Sequence, residues 1–509
     1  MNSVVKEEKV KTSSAVWLGA ANSGTGLLVA FAEGAAFQYL FVNKLGLDVR
    51  LNMIVWIIFG IWNAINDPIY GFIADRTKSK LGRRIPWIRY GAPLMAIVYA
   101  LMWLPSLQGS GVSQGLLFFQ ELIGLFLYDI LYTVIASAIY VMPYEMAVTN
   151  KARNKIFLFN ILFSLINFGA PMILNSQLDK LIEHHADVFP LVMAGMGIVC
   201  GAIVFISTFF YKENKYTKQE VQPKFFEGLK LCLKNKPFLL FEVIAWTMLF
   251  AQNALMVGLT YVSGMWADGS AISIANGWIG GNSIIVLYAG LAIGVISGIV
   301  FFNFTREKLG LRTEMLIMTA VMAIGCLLGS FLGQYFYVCL ITFICCGVGL
   351  AGGLYLVPMM NGDVMDKDEL DSGVRREGVY AGINSLITKP AGSIANALFP
   401  LMITGLYGFN ENLKISSIDS ITNKEVMVID YSNQTIQAKN GLFLCWFLIT
   451  GILLILCFVA MWFYPLYGKS WNEKKEYLAK KHVEKEKAYE QELSNCNAQV
   501  KVDTFFDFL

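Results

Sequence analysis

Charge is scarce in this chain: Asp, Glu, Lys and Arg make up 15% of its 509 residues, against about 25% in an ordinary soluble domain. That deficit excludes a water-soluble globule of this length. Histidine is scarcer still. There are three, His184, His185 and His482, all outside the long apolar stretches, so neither a histidine-built zinc centre nor a buried histidine base is expected. Nine cysteines are scattered without the spacing of a metal ligand set and read as small packing residues. No apolar stretch combines a nucleophile with a base and an orienting partner, which argues against an enzyme. The residue-by-residue alternation of barrel strands is also missing, which leaves helices as the way to satisfy backbone polar groups in lipid.

What is abundant is apolar sequence, 56% of residues, with 14% aromatic. A helix needs about 20 apolar residues to cross a hydrocarbon core of about 30 Å. Twelve such stretches are expected, near 15–42, 51–75, 87–106, 112–147, 155–177, 189–211, 237–264, 280–303, 315–333, 335–361, 377–405 and 441–467. The fold class is therefore an all-α membrane protein of twelve transmembrane helices, its first span an uncleaved anchor. Lys and Arg collect after even-numbered spans: Arg76, Lys78, Lys80, Arg83 and Arg84; Lys151, Arg153 and Lys155; Lys212, Lys215, Lys218 and Lys224; Arg306, Lys308 and Arg312; Arg375 and Arg376. By the positive-inside rule both termini are cytoplasmic. Because these cations sit at membrane edges, the net charge of +3 gives no reason to expect a nucleic-acid partner.

Thr77-Lys78-Ser79-Lys80-Leu81-Gly82-Arg83-Arg84 after the second span is echoed by Thr305-Arg306-Glu307-Lys308-Leu309-Gly310-Leu311-Arg312 after the eighth. Two parallel six-helix halves follow, with a solute site expected between them. The domains expected are an N-terminal six-helix bundle (1–211), a cytoplasmic linker (212–236), a C-terminal six-helix bundle (237–468) and a cytoplasmic tail (469–509). The external segment 408–440 is strand-like at Val426 to Ile429. The tail from Trp471 to Leu493, rich in Lys and Glu, is expected to be a solvated helix.

Ionisable groups inside spans are costly and therefore functional candidates. Asn63, Asn66 and Asp67 fall within little more than a turn of the second span, with Asn63 and Asp67 on one face. Lys389 stands among Leu386, Ile387, Ala391 and Ile394 of the eleventh and needs a partner, for which Asp67 is the candidate. Glu33 and Gln38 in the first span, Glu121, Asp129, Tyr132, Thr133, Ser137 and Tyr140 in the fourth, Asn160 in the fifth, and Tyr380 and Asn384 in the eleventh are further polar candidates. Hydrogen-bonding groups beside aromatic faces suit a sugar; each alone equally suits an interhelical hydrogen bond.

Asn66-Asp67-Pro68-Ile69-Tyr70-Gly71, then Asp75-Arg76-Thr77 and Gly82-Arg83-Arg84-Ile85-Pro86-Trp87, resembles the second-span signature of the glycoside-pentoside-hexuronide:cation symporters, the melibiose permease-like family of the major facilitator superfamily. Pro143-Tyr144-Glu145 before Arg153, and Asp363-Val364-Met365-Asp366 through Gly373-Val374-Arg375-Arg376-Glu377-Gly378-Val379-Tyr380, resemble two more of its links, and Lys389 falls where the family keeps an intramembrane lysine. The resemblance spans residues 15 to 470 and implies a major facilitator fold with alternating access. It implies a cation site at Asp67, Asn63 and Thr133 with Lys389 coupled to it. The fourth-span aspartate of the family falls at or near Ala136, the first acidic position of the second span is Asn63, and one carboxylate stands where three are expected. The coupled ion is then H+ or Na+, and no other cofactor or metal is expected. Substrate contacts are expected from Glu33, Tyr140, Asn160, Asn384 and Lys389, although Leu27 stands at the family's first-span aspartate and Asn160 or Ile161 at its fifth-span arginine. Asp75, Arg76, Arg83, Arg84, Asp363, Asp366, Arg375 and Arg376 are expected to form a cytoplasmic gate. The expected partners are a small-molecule substrate, a sugar, and membrane lipid. The alternatives are a lipid or lysolipid carrier on the same fold and a non-transporting solute sensor.

Overall fold

A computed structural model of the chain describes residues 10–77, 79–108, 111–147, 149, 152–164, 166–167, 188–213, 225–262, 283–410, 413–418, 425–429 and 433–506. Among them, eleven helices are long and apolar enough to cross a bilayer. In chain order the helices are α1 (Thr12–Ala32), α2 (Val49–Arg76), α3 (Ile85–Met102), α4 (Gln114–Met146), α5 (152–164), α6 (Phe189–Ser207), the short linker helix α7 (Phe225–Lys234), α8 (Lys236–Val262), α9 (Ser283–Leu309), α10 (Leu311–Leu332), α11 (Phe336–Ser372), α12 (Glu377–Tyr407), α13 (Ile436–Trp462) and the tail helix α14 (Gly468–Phe506). The long fourth span is one continuous helix. The expected fifth span is helical over 152–164, and its remainder, residues 168–177, lies outside the described residues, as do His184, His185, Lys78, Lys151, Lys215, Lys218 and Lys224.

Apolar length makes these helices, and short polar side chains start them. Asp48 accepts from the Arg50 N–H at 2.8 Å, Ser113 from Leu116 at 3.3 Å and Thr435 from Ala438 at 3.1 Å, each satisfying an amide that the helix leaves open. The first span is shorter as a helix than expected: α1 ends at Ala32, and the chain continues through a turn at Ala35–Tyr39 and a π-helical turn at Leu40–Lys44.

The chain divides into two compact units, Met1–Lys234 with Gly362–Leu386 and Lys469–Leu509, and Asn235–Asn361 with Ile387–Gly468. In the first, Gly197 and Gly201 of α6 lie against Tyr99 and Ala96 of α3. Around them Trp103 meets Phe37 and Phe189 edge-on at 5.3 and 5.5 Å. In the second, Gly290, Gly294 and Gly298 of α9 form a flat stripe against Leu340, Ile344, Gly347 and Ala351 of α11. Lipid gives no hydrophobic drive between helices, so close approach of small residues does the packing. Trp446 of α13 donates its indole N–H to the Ala254 carbonyl of α8 at 3.0 Å, a satisfied polar handle inside an apolar layer. The 408–440 excursion carries an antiparallel pair, β1 (Lys414–Ile418) with β2 (Glu425–Ile429), Ile415 opposite Val428. The two hydrogen bonds between Gln434 and the Asn410 backbone, 2.7 and 3.0 Å, close its base.

A Cβ at Gly294 would stand 2.1 Å from the Ile344 carbonyl oxygen, which is backbone and has no rotamer to give, whereas one at Gly195 meets nothing within 4 Å. Gly294→Ala should therefore lower the melting temperature of the purified protein by the equivalent of about 1–3 kcal/mol. Gly195→Ala should leave it unchanged or slightly raised.

A candidate cation site and a buried ionic latch

Two features of the first unit can carry chemistry. The first joins α2 to α4 through polar rungs. Trp56 donates its indole N–H to Glu121 at 3.2 Å, and Trp62 donates to Asp129 Oδ2 at 2.8 Å. Asn66 Nδ2 donates to Asp129 Oδ2 at 2.5 Å and to Thr133 Oγ1 at 3.0 Å, while Thr133 Oγ1 donates to Asp129 Oδ1 at 3.3 Å. Asn66 and Asp129 are fully buried and Thr133 nearly so. Asp129 and Thr133, four apart, present one face of α4, and Trp62 and Asn66, four apart, one face of α2. Asn66 Oδ1 is buried without a hydrogen-bond partner. A carboxylate, a hydroxyl and an amide oxygen with no donor form a donor set that a proton or a monovalent cation fits.

Asp129, expected only as one polar candidate of the fourth span, lies at the centre of this arrangement. The carboxylate that meets the second span beside Thr133 is Asp129, one turn before the threonine, and its second-span partner is Asn66. Asp67 is buried one residue further on, and Asn63 is half-buried. Of the expected substrate residues, Glu33 lies where α1 ends, Tyr140 is partly exposed with its ring edge-on to Tyr144 at 6.0 Å, and Asn160 has a buried amide oxygen without a hydrogen-bond partner. Asn384 and Lys389 are half-buried on α12, Asn384 in the first unit and Lys389 in the second.

The second feature is a cluster of charges that the first unit gathers from distant parts of the sequence. Arg153, at the start of α5, makes a bidentate pair with Asp366 near the end of α11, Nη1–Oδ2 2.8 Å and Nη2–Oδ1 2.9 Å, both side chains at 0% exposure. Its Nε donates to the Ala147 carbonyl at 2.8 Å. Burial alone would push the guanidinium down, and the Asp366 carboxylate overrides this and holds it above its ordinary value. Arg83 bridges Glu145 at 2.7 Å and Glu377 at 3.5 Å. Arg375 contacts Glu377, lies 3.4 Å from Glu369 and donates to the Tyr144 carbonyl at 2.9 Å. Arg376 is held by Asp368, Nε–Oδ2 2.9 Å.

Backbone contacts reinforce the charges. A Cβ at Gly71 of α2 would stand 2.3 Å from the Gly378 carbonyl oxygen of α12, and one at Gly382 would stand 2.8 Å from Pro68. Thus the two motifs read in the sequence, around Asn66 to Gly71 and around Glu377, touch. Glu213 accepts from the Arg83, Arg84 and Ile85 N–H groups at 2.6, 2.7 and 2.7 Å, capping α3 with a charge opposite to its dipole. Of the expected gate residues, Arg83, Asp363, Arg375 and Arg376 lie in this network. The Arg84 side chain is buried, Arg76 is exposed, and the Asp75 side chain lies outside the described residues. Asp366, also expected at the gate, is in the network with Arg153; Arg153, Glu145, Glu213 and Glu377 join it without having been named for the gate, and the signal available was Glu145 and Arg153 flanking one link and Asp366 and Glu377 flanking another.

A family model described as MFS/sugar transport protein matches residues 19–468. The glucuronide carrier protein homolog of Escherichia coli K12 is 24% identical over 453 residues, 87% of this chain and 91% of that protein. The sodium-dependent lysophosphatidylcholine symporter 1 of Gallus gallus is 25% identical over 268 residues, 45% of this chain and 50% of that protein. Among solved structures, the E. coli fucose:proton symporter superposes with a TM-score of 0.57 at 14% identity, covering 90% of this chain and 98% of that one. The fold is shared with it.

Breaking one partner of a buried ion pair strands the other charge, at a cost of about 3–5 kcal/mol. Asp366→Asn should therefore lower the melting temperature markedly, and Arg153→Met/Asp366→Leu should recover a large part of the loss. Equal loss in the single and double variants would show that the pair contributes no more than its packing.

Proposed function

The chain belongs to the MFS/sugar transport protein family and is an integral membrane sugar or solute transporter, and from that premise we propose that it carries a glycoside, pentoside or hexuronide by cation-coupled symport with alternating access. The observation that carries the proposal is the Asn66–Asp129–Thr133 constellation. It supplies a buried carboxylate, and a buried amide oxygen without a donor, where a symporter needs a site that is charged when empty and neutral when loaded.

In this reading H+ or Na+ binds at Asp129 with Thr133, Asn66 and the neighbouring Asp67 and Asn63. Gly378 and Gly382 of α12 lie against α2, so a change at Asp67 is felt by that helix, which also bears Lys389. The polar sugar is met by Glu33, Tyr140, Asn160 and Asn384. The ionic latch is the gate at the cytoplasmic side, the side assigned by the positive-inside rule. With the latch shut the solute site opens outward; loading shifts the population toward the state in which Arg153 and Asp366 part. A hexuronide has support in the glucuronide carrier relative.

A second reading is favoured by the lysophosphatidylcholine symporter relative. An amphiphile would then replace the sugar while the cation site and latch stay as described.

The test is uptake into proteoliposomes of labelled glucuronides, glycosides and lysophosphatidylcholine under imposed pH or sodium gradients. Uptake of a glycoside or hexuronide driven by one of the gradients is expected, with Asp129→Asn and Asp67→Asn each losing accumulation above equilibrium. If Asp129→Asn retains full accumulation, the coupling site is wrong; if only lysophosphatidylcholine is taken up, the second reading replaces the first.

A further inference from the structure

The tail helix α14 is docked by one face, in contrast to the solvated helix expected from its composition. Trp471, Lys475, Leu478 and His482, spaced by three or four residues, are 5%, 4%, 0% and 6% exposed, while Glu473, Lys474, Glu476 and Lys480 between them are exposed. Each polar member of the buried face meets an acid near the end of α11. Trp471 donates its indole N–H to Asp363 Oδ2 at 3.0 Å, and Lys475 contacts Asp363 Oδ1. Lys475 also lies 3.6 Å from Asp366, the carboxylate gripped by Arg153. His482 Nε2 is 2.7 Å from Glu369 Oε1, and Lys485 is 3.7 Å from the same oxygen.

Asp363 ties the tail to the latch energetically. Its carboxylate is 1% exposed, and both groups seen donating to it come from the tail. Undocking the tail strips Asp363 of both contacts and takes the Lys475 ammonium away from Asp366, the acid that Arg153 grips. Tail release and exposure of the α11 end are therefore coupled, and each favours the other.

We propose that the C-terminal helix is a releasable clamp on the latch, holding it shut when docked, and that protonation of His482 loosens the clamp. This rests on the reading of the chain as a carrier. The groups facing His482 are Glu369 and Asp366 of α11, Arg375 of the following turn at 3.3 Å, and Lys485 of its own helix, which shares Glu369. Burial pushes the imidazole below its ordinary 6.5, Arg375 acts in the same direction, and the bond to Glu369 opposes both without reversing them. A base whose value is depressed on docking is fully docked above the undocked value and is released as pH falls below it. Docking should thus weaken below about pH 6.5, by up to about tenfold per pH unit for one proton.

Paired spin labels at Leu81→Cys and Glu484→Cys, in a background without other reactive thiols, report docking without any solute. At pH 7.5 one narrow distance is expected, at pH 5.5 a second broad population. His482→Gln should abolish the pH response, and Lys475→Met should broaden the distribution at both pH values. In proteoliposomes at pH 7.5, Lys475→Met should raise the initial uptake rate several-fold with little change in KM. One narrow distance in every variant and at both pH values would overturn the clamp, and so would release with no change in uptake rate. A wild-type chain that takes up no solute would overturn the carrier reading and the clamp's role in it, leaving the label distances to decide docking alone.

Discussion

A charge buried away from water must be answered by another group of the protein, because water is not there to do it. Most of what distinguishes this chain follows from that constraint. With charge so scarce, the buried acids and bases described above for the first unit are committed to partners, several of them far apart in sequence. Arg153 closes on Asp366 and Arg83 on Glu377. Residues 362–386 pack with the first unit although they lie deep in the second half of the chain. Such pairs contribute little net stability when made and are costly when broken singly. They are suited to holding one of two arrangements of similar free energy.

Helix α2 links the two chemical features. Midway along it, Asn66 reaches Asp129 and Thr133; a turn later, Pro68 and Gly71 abut the backbone of α12 at Gly382 and Gly378; just past its end, Arg83 enters the latch. A small movement at the polar cluster is transmitted by a rigid element through contacts that have no side chain to absorb it. The glycines of the signature thus serve close backbone approach, and the charges around them serve the gate.

The helices were legible in the sequence because length and hydropathy decide them, and eleven appear at the expected places among the described residues. The strand-like Val426 to Ile429 lies within β2. The motif containing Asp67 was legible as a unit, yet composition could not say which of its polar residues would meet the fourth span. Asp129 was legible only as one polar residue among several on the fourth span, although a helix repeats its face every three to four residues and so sets Asp129 beside Thr133. The tail misled for a different reason: its Lys and Glu content reads as solvated, but the residues that dock, Trp471, Lys475, Leu478 and His482, are a minority stripe whose partners lie about a hundred residues upstream. Sequence periodicity shows such a stripe; it does not show the acids that receive it.

The central claim is that a cation at Asp129 and its neighbours favours solute binding. Solute affinity of the purified protein, titrated against sodium at two pH values, tests it most directly. The account predicts that affinity for a glycoside or hexuronide rises with sodium or with proton concentration, by at least about fivefold, and that Asp129→Asn makes it independent of both. An affinity that ignores both ions in the wild-type chain would contradict it.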